Sequence, residues 1–253
     1  MHDNFAIEIN DLTKTYKGKK SPTLNGLSLN IPFGSLFGLL APNGAGKTTA
    51  ISAICGLRKF EKGSIYVDGL SVKKYMNKIK PIIGLVPQDI ALFPTLTAME
   101  NLKIIGGIYG IPKHILNNKI NELLELFDLS ASKDSIISHY SGGMKRRINL
   151  IAGMLHNPKI LILDEPTVGV DAQSRKLILE KLKEINASGT TILFISHYLE
   201  EAEYICDQVA FIDNGKVISE GAPNEMIERD CKCNNLESVY LCLTGKQMRD
   251  CHE

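Results

Sequence analysis

Residues 36 to 49 read LFGLLAPNGAGKTT. An apolar run breaks at a Pro-Asn-Gly turn and ends on a lysine and two threonines. Consecutive backbone N–H groups across Asn43-Gly44-Ala45-Gly46-Lys47 can form a concave nest of donors. Gly44 and Gly46 allow the positive φ values and the close approach that such a nest needs. A helix starting near Lys47 turns its positive end toward the same place. Lys47 supplies a mobile point charge for terminal phosphates, and the Thr48 hydroxyl suits Mg2+. The stretch is therefore suited to a nucleoside triphosphate with its metal. It departs from the pattern G-x-x-x-x-G-K-[ST] at Ala41, where glycine is usual. If that position demanded positive φ, alanine would cost about 1–2 kcal/mol. The nest lies downstream of it, so tolerance is the expectation. The bland alternative is a glycine-rich turn that merely caps a helix.

Two further groups extend the chemistry. Ile160-Leu-Ile-Leu-Asp164-Glu165-Pro166 is a buried-strand pattern ending in two acids. A parallel strand adjacent to the loop would bring Asp164 to the metal and let Glu165 polarise an attacking water; otherwise it is a core strand with a solvated acidic end. Tyr140-Ser141-Gly142-Gly143-Met144-Lys145-Arg146-Arg147 opens a helix with a serine cap and two glycines that leave their N–H groups bare. That is a second anion site. A chain with one cradle for the terminal phosphate has use for another if a nucleotide is shared between two copies.

These residues need a scaffold. Strand patterns at Ala6–Ile9, Leu27–Ile31, Ser35–Leu40, Ser64–Val67, Ile82–Pro87, Ile160–Asp164 and Thr190–Ser196 are bounded by turn residues. Helical patterns follow at Lys47–Leu57, from Thr97 with a capping box to Glu100, at Asn117–Phe127, and at Ala172–Ala187 with Asp171 as N-cap and Gly189 past its end. Asn214-Gly215 signals a type I′ hairpin between Val209–Asp213 and Lys216–Ser219. Alternating strands and helices predict a mainly parallel sheet with helices on both faces.

Bulk composition is consistent with this. The 253 residues are 44% hydrophobic and 23% charged, with net charge +1. That suits one or two domains with a sizeable core and gives no basic field for nucleic acid. No apolar run approaches the ~18 residues of a membrane span, and no leader is visible. Of six cysteines, Cys231, Cys233, Cys242 and Cys251 crowd the end of the chain. With Cys251-His252 they make a poor zinc pattern, and reduced thiols are expected.

The sequence resembles the ATP-binding cassette ATPases along nearly its whole length. The resemblance implies an α/β phosphate-loop (RecA-like) core with an antiparallel β subdomain and a helical subdomain. Residues 1–230 would form the ATPase domain, with the helical part at about 91–150, and residues 231–253 a C-terminal helical tail. Tyr16 matches the aromatic that stacks on adenine, and Ala41 to Thr49 match the phosphate loop. Gln88 matches the glutamine that touches Mg2+ or water and signals to the helical subdomain. Ser141, Gly142 and Gly143, with Met144, match the signature that binds the terminal phosphate of the opposite monomer. Asp164 and Glu165 match the metal acid and the catalytic carboxylate. Asp171 matches the loop that crosses the dimer interface, and His197 the histidine on the terminal phosphate. Thr48, Gln88 and Asp164 would hold the metal. Ala41, Tyr140, Met144 and Val168 depart from the common pattern. YSGGMKRR, EPTVGVD and SHYLEEAE look most like ATPase subunits of bacterial drug exporters.

The resemblance thus implies an ATPase with ATP and Mg2+. Its partners would be a second ATPase subunit (a homodimer) and an integral membrane permease, with no nucleic acid. It would sit in the cytoplasm against the inner face of the cell membrane. The rivals are a soluble non-transport member of the family and a regulatory nucleotide-binding module with little hydrolysis. A phosphate-loop kinase has no use for Ser-Gly-Gly at a helix start. Taken alone, Tyr16 reads as a strand-edge aromatic, His197 as a strand-end histidine and Gln88 as a loop amide. Lys17–Lys20 reads as a basic loop, and Lys145–Arg147 as a solvated helix face with a secondary phosphate role.

Overall fold

The computed structural model of the protein describes residues 5–229 and 233–245. In chain order the elements are β1 (Phe5–Lys14), β2 (Leu24–Pro32), β3 (Leu36–Leu40), α1 (Lys47–Ile54), β4 (Lys62–Val67), β5 (Leu70–Ser71), α2 (Val72–Ile79), β6 (Ile83–Val86), α3 (Ala98–Ile108) and α4 (Lys113–Leu126). They continue with α5 (Gly142–Met154), β7 (Ile160–Asp164), α6 (Ala172–Ala187), β8 (Thr191–Ser196), α7 (Leu199–Ile205), β9 (Gln208–Asp213), β10 (Lys216–Gly221), α8 (Pro223–Glu228) and α9 (Leu236–Thr244).

The strands make two sheets. One is antiparallel, ordered β2-β1-β4-β5. The other is ordered β10-β9-β3-β8-β7-β6 and is parallel except for its edge strand β10. Side chains of a strand alternate between faces, and the parallel sheet is apolar on both. Leu161 and Leu163 of β7, with Ile192 and Phe194 of β8, face a core built with α3 to α9. Ile160, Ile162, Leu193 and Ile195 face the other way, toward α1, α2 and the antiparallel sheet. Helices therefore lie on both faces, as expected. The second face is shared between helices and the sheet of β1, β2 and β4, whose own inward residues (Ile7, Ile9, Leu27, Leu29, Ile65) need an apolar partner.

Local chemistry explains the element ends. Glu100 N–H donates to Thr97 Oγ1 at 3.1 Å and Thr97 N–H donates back to Glu100 Oε2 at 2.8 Å, closing the box that starts α3. Asp171 Oδ1 accepts from Ser174 N–H at 2.9 Å and starts α6. Asn214 and Gly215 both have positive φ, 48° and 72°, as a type I′ turn requires. A side chain at Gly215 would stand 2.8 Å from Leu24 Cα, so the β9–β10 hairpin also lies directly on β2.

Near the described end of the chain, α9 is held by Leu236 N–H donating to Glu203 Oε2 at 2.9 Å and by Tyr240 tilted against Phe211. Cys233 and Cys242 bring their Sγ atoms to 3.6 Å. Cys231, Cys251 and His252, on which a metal reading would rest, lie outside the described residues. Among the described residues no helix is long and apolar enough to cross a membrane.

Candidate functional site

Parallel strands deliver their following loops to one edge of a sheet. Here β3 leads into residues 41–46, β6 into Gln88, β7 into Glu165 and β8 into His197. All four loops therefore open at the same edge. β7 does not pair with β3, because β8 lies between them. The loop after β3 nevertheless reaches β7, since Lys47 Nζ lies 3.1 Å from Glu165 Oε1.

Gly44 and Gly46 have φ of 82° and 107°. Gly46 stands at the N-cap of α1 with no side-chain cap, so the first N–H groups of the helix point outward. A side chain at Gly46 would come within 2.9 Å of Thr23 O. Ala41 is fully buried and is absent from the residues with positive φ, so alanine fits there without strain. Lys47 is buried and donates to Ala41 O at 2.6 Å.

A cavity of about 230 Å³ gathers Tyr16, Asn43, Gly44, Gly46, Lys47, Thr48, Thr49, Gln88, Asp164 and Glu165. Ala45 does not line it; its N–H is directed to Pro42 O at 3.3 Å. Tyr16 stands at the cavity with its hydroxyl 3.2 Å from Thr49 Oγ1. Lys19 and Thr23 also line it. Sequence reasoning set Lys19 aside as part of a basic loop, and its closeness in sequence to Tyr16 was the available signal.

Glu165 is 2% exposed and has φ of 52°, a left-handed conformation rare for a residue with a side chain. Such backbone strain concentrates where a side chain must be aimed. One carboxylate oxygen faces Lys47 and the other is in direct contact with His197 Nδ1. Burial alone would raise its pKa, but the contacts with His197 and Lys47 outweigh that and hold it below the usual carboxylate range. Asp164 goes the other way. Burial first, and the Glu165 carboxylate second, push it up to about 6 against the pull of Lys47 and Arg146.

Two adjacent buried carboxylates thus share one lysine. A hydroxyl at Thr48, an amide at Gln88 and the Asp164 carboxylate line the same cavity. This hard, oxygen-rich donor set, short of positive charge, fits Mg2+. The raised pKa has a measurable consequence. A carboxylate with a raised folded-state pKa supports the fold fully below its unfolded value, about 3.9, and loses that support as pH rises through about 6. Asp164→Asn is therefore expected to raise the melting temperature of the ligand-free protein at pH 7.5, with the gain vanishing near pH 4. A gain that is constant from pH 4 to 8 would contradict this.

Ser141, Gly142 and Gly143 do not join the cavity. They form the start of α5, with Ser141 Oγ accepting from Met144 N–H at 3.2 Å and with Ser141 and Gly142 exposed. Gly143 is buried beneath Ser174. Exposed Gly169 and Asp171 belong to the adjoining loop, and a side chain at Gly142 would lie 3.2 Å from Gly169 O. The departures at Tyr140 and Met144 have local causes. Tyr140 is buried with its hydroxyl donating to Ser132 O at 2.5 Å, and Met144 packs partly against the helical core.

Arg146 corrects the reading of residues 145–147 as a solvated face. It is 5% exposed and donates to Gln88 O at 2.6 Å and Val168 O at 3.3 Å. Glu201 was also missed. Buried, it accepts from Thr167 Oγ1 at 2.5 Å and faces Arg175, which steadies the segment after Glu165.

The model of the ABC transporter family matches residues 24–168. The linearmycin resistance ATP-binding protein of Bacillus subtilis is 45% identical over 223 residues, 88% of this chain and 71% of that protein. The Nod factor export ATP-binding protein I of Ralstonia nicotianae is 38% identical over 234 residues, 92% of this chain and 72% of that protein. Among solved structures, an ATP-binding subunit of an ABC transporter superposes with a TM-score of 0.84 at 28% identity, covering 94% of this chain and 99% of that one. A dimeric ATP-binding cassette in a post-hydrolysis state, bound to ADP and Pi, superposes with a TM-score of 0.78 at 26% identity over 85% of this chain and 98% of that one.

Proposed function

This chain belongs to the ABC transporter family as one of its ATP-binding, ATP-hydrolysing subunits, and from that premise we propose that two copies close over two MgATP to power export through a separate membrane permease. One observation carries the dimer. The candidate phosphate contacts are split between an internal cavity around Lys47 and an exposed helix end at Ser141-Gly142 outside it. A triphosphate in the cavity leaves that helix end free to meet the nucleotide of another copy.

In this reading the amides of Asn43, Gly44, Gly46 and Lys47 and the first turn of α1 cradle the phosphates, Tyr16 stacks on the base, and Thr48, Gln88 and Asp164 would hold Mg2+. An ion held by these residues would supply charge neutralisation at the phosphate oxygens. Lys47, in contact with Ala41 O and Glu165, turns to the terminal phosphates. That turn releases one Glu165 oxygen to accept a proton from the attacking water, while His197 stays against the other. Ser141, Gly142 and Gly143 close the site from the second copy, with the loop around Asp171 beside them. ATP favours the closed dimer only through these added contacts, and hydrolysis removes them.

The permease would dock in a groove of about 650 Å³ lined by Lys80, Pro81, Ile108, Tyr109 and Ile115. Ile108, Tyr109 and Ile115 are exposed there, and a contiguous exposed apolar patch marks a partner surface. Residues 91–150 would move as the helical subdomain, and the chain would sit on the inner face of the cell membrane. Export is supported by the names of the relatives, one a resistance protein and the others Nod factor exporters. The test is steady-state ATP hydrolysis with and without Mg2+, and with the membrane protein that co-purifies. Mg2+-dependent turnover stimulated by that protein is expected. Turnover without a membrane partner, or none at all, would favour the soluble or regulatory reading.

A further inference from the structure

The face of α5 turned toward the site carries two buried polar side chains one turn apart, Arg146 at 5% exposure and Asn149 at 3%. Both are spent on the backbone of loops rather than on other side chains. Arg146 Nη1 donates to Gln88 O at 2.6 Å and, more weakly, to Pro87 O at 3.4 Å. Its Nη2 donates to Val168 O at 3.3 Å. Asn149 Nδ2 donates to Pro87 O at 3.2 Å, and its Oδ1 accepts from Ala91 N–H at 3.2 Å.

Residues 87–91 are thus gripped at both ends by α5, and the loop at Val168 is tied to the same guanidinium. Gln88 is gripped by its backbone, so its side chain stays free at the cavity. Three parts of the molecule are joined: the amide on the metal side, the loop leading to Asp171, and the helix that begins at Ser141. A planar guanidinium can span two loops at once, which a lysine ammonium cannot do with the same geometry.

We propose that Arg146 is a positioning residue that couples Gln88 in one nucleotide cavity to the Ser141 end of the same α5, which reaches the nucleotide of the second copy. The coupling rests on the dimer reading above and adds to it a specific transmitter. The carbonyls of Gln88 and Val168 are the points at which Arg146 ties the cavity and the loop leading to Asp171 to α5.

The test is a double-mutant cycle on kcat. Gln88→Ala and Arg146→Ala each lower kcat, Arg146→Ala by about 10–100-fold as for other outer supports of a metal-side group. ATP affinity is unchanged by Arg146→Ala, because residues 41–49 are untouched. The double variant is less impaired than the product of the two single losses, since Arg146 acts in part through Gln88. Arg146→Lys, which keeps the buried charge but not the fork, recovers part of kcat. It is read in the same cycle with its melting curve, so a poorly folded alanine variant does not decide the outcome. Strictly multiplicative losses, or an ATP affinity that falls in step with kcat, would overturn the coupling while leaving the dimer reading intact. If Gln88→Ala alone leaves kcat unaltered, the role of Gln88 fails and the coupling fails with it, and dimer formation in MgATP is judged separately.

Discussion

Glu165→Gln is expected to lower kcat by about 10²–10⁴-fold, the usual worth of a positioned general base, with ATP still bound. The substitution is close to isosteric, which matters at a side chain 2% exposed on a backbone of φ 52°. What changes is chemistry. An amide cannot take a proton from water, and it cannot hold Lys47 by charge as Glu165 does at 3.1 Å. Because His197 and Lys47 keep the native carboxyl below its usual range, it is ionised at neutral pH and ready to accept that proton. Lys47, no longer retained by a carboxylate, is freer to meet the phosphates, so ATP affinity is expected to be equal or higher. Single-turnover hydrolysis and equilibrium ATP binding, measured on the same preparation, separate the two effects. Turnover within a few-fold of the native rate would remove Glu165 from the chemistry.

Lys47→Ala is expected to act on the other side of that balance. Two charge-assisted bonds to terminal phosphates, at about 1.5–3 kcal/mol each, amount to roughly 10²–10⁴-fold in ATP affinity. The ligand-free protein should suffer as well. Lys47 is the ammonium that faces the buried pair Asp164 and Glu165, and breaking a buried ion pair by removing one partner costs about 3–5 kcal/mol. His197 still faces Glu165, so the lower end of that range is expected. A melting curve without nucleotide reads the structural loss and a binding titration reads the loss of ATP contacts. Native-like ATP affinity in a folded Lys47→Ala protein would contradict the assignment.

Local chemistry made much of this molecule legible. Asp171 and Gly189 bracket α6 at the predicted residues because caps are local bonds. Asn214-Gly215 makes the predicted hairpin because only such residues take two positive φ angles in succession. Gly44, Gly46 and Lys47 could be placed because a strand, a turn and a helix in sequence leave one arrangement for them. Elements whose form depends on distant neighbours were less visible. The antiparallel sheet shares one face of the parallel sheet with α1 and α2 through residues far apart in the chain, so alternation alone showed the helices there and not the sheet beside them. The helix α2 has Val72, Met76 and Ile79 at helical spacing, but three lysines and only 8 residues mute the signal.

At the candidate site, Tyr16, Gln88, Asp164 and Glu165, singled out from the sequence, line one cavity. The left-handed φ of Glu165 was not foreseeable, because it follows from β7 stopping against β8, where Glu165 N–H donates to Ile195 O at 2.9 Å. Arg146 was misjudged for a related reason. Its neighbours in sequence are a lysine and another arginine, while the carbonyls that bury it come from residues 87, 88 and 168.

The sharing of nucleotide between two chains is tested most directly by the solution mass of the Glu165→Gln protein, measured by light scattering in MgATP. We predict a particle of twice the 27.9 kDa chain mass, reverting to a single chain without nucleotide or when Gly142→Asp is added at the exposed start of α5. A 27.9 kDa particle with one ATP bound per chain would contradict the account.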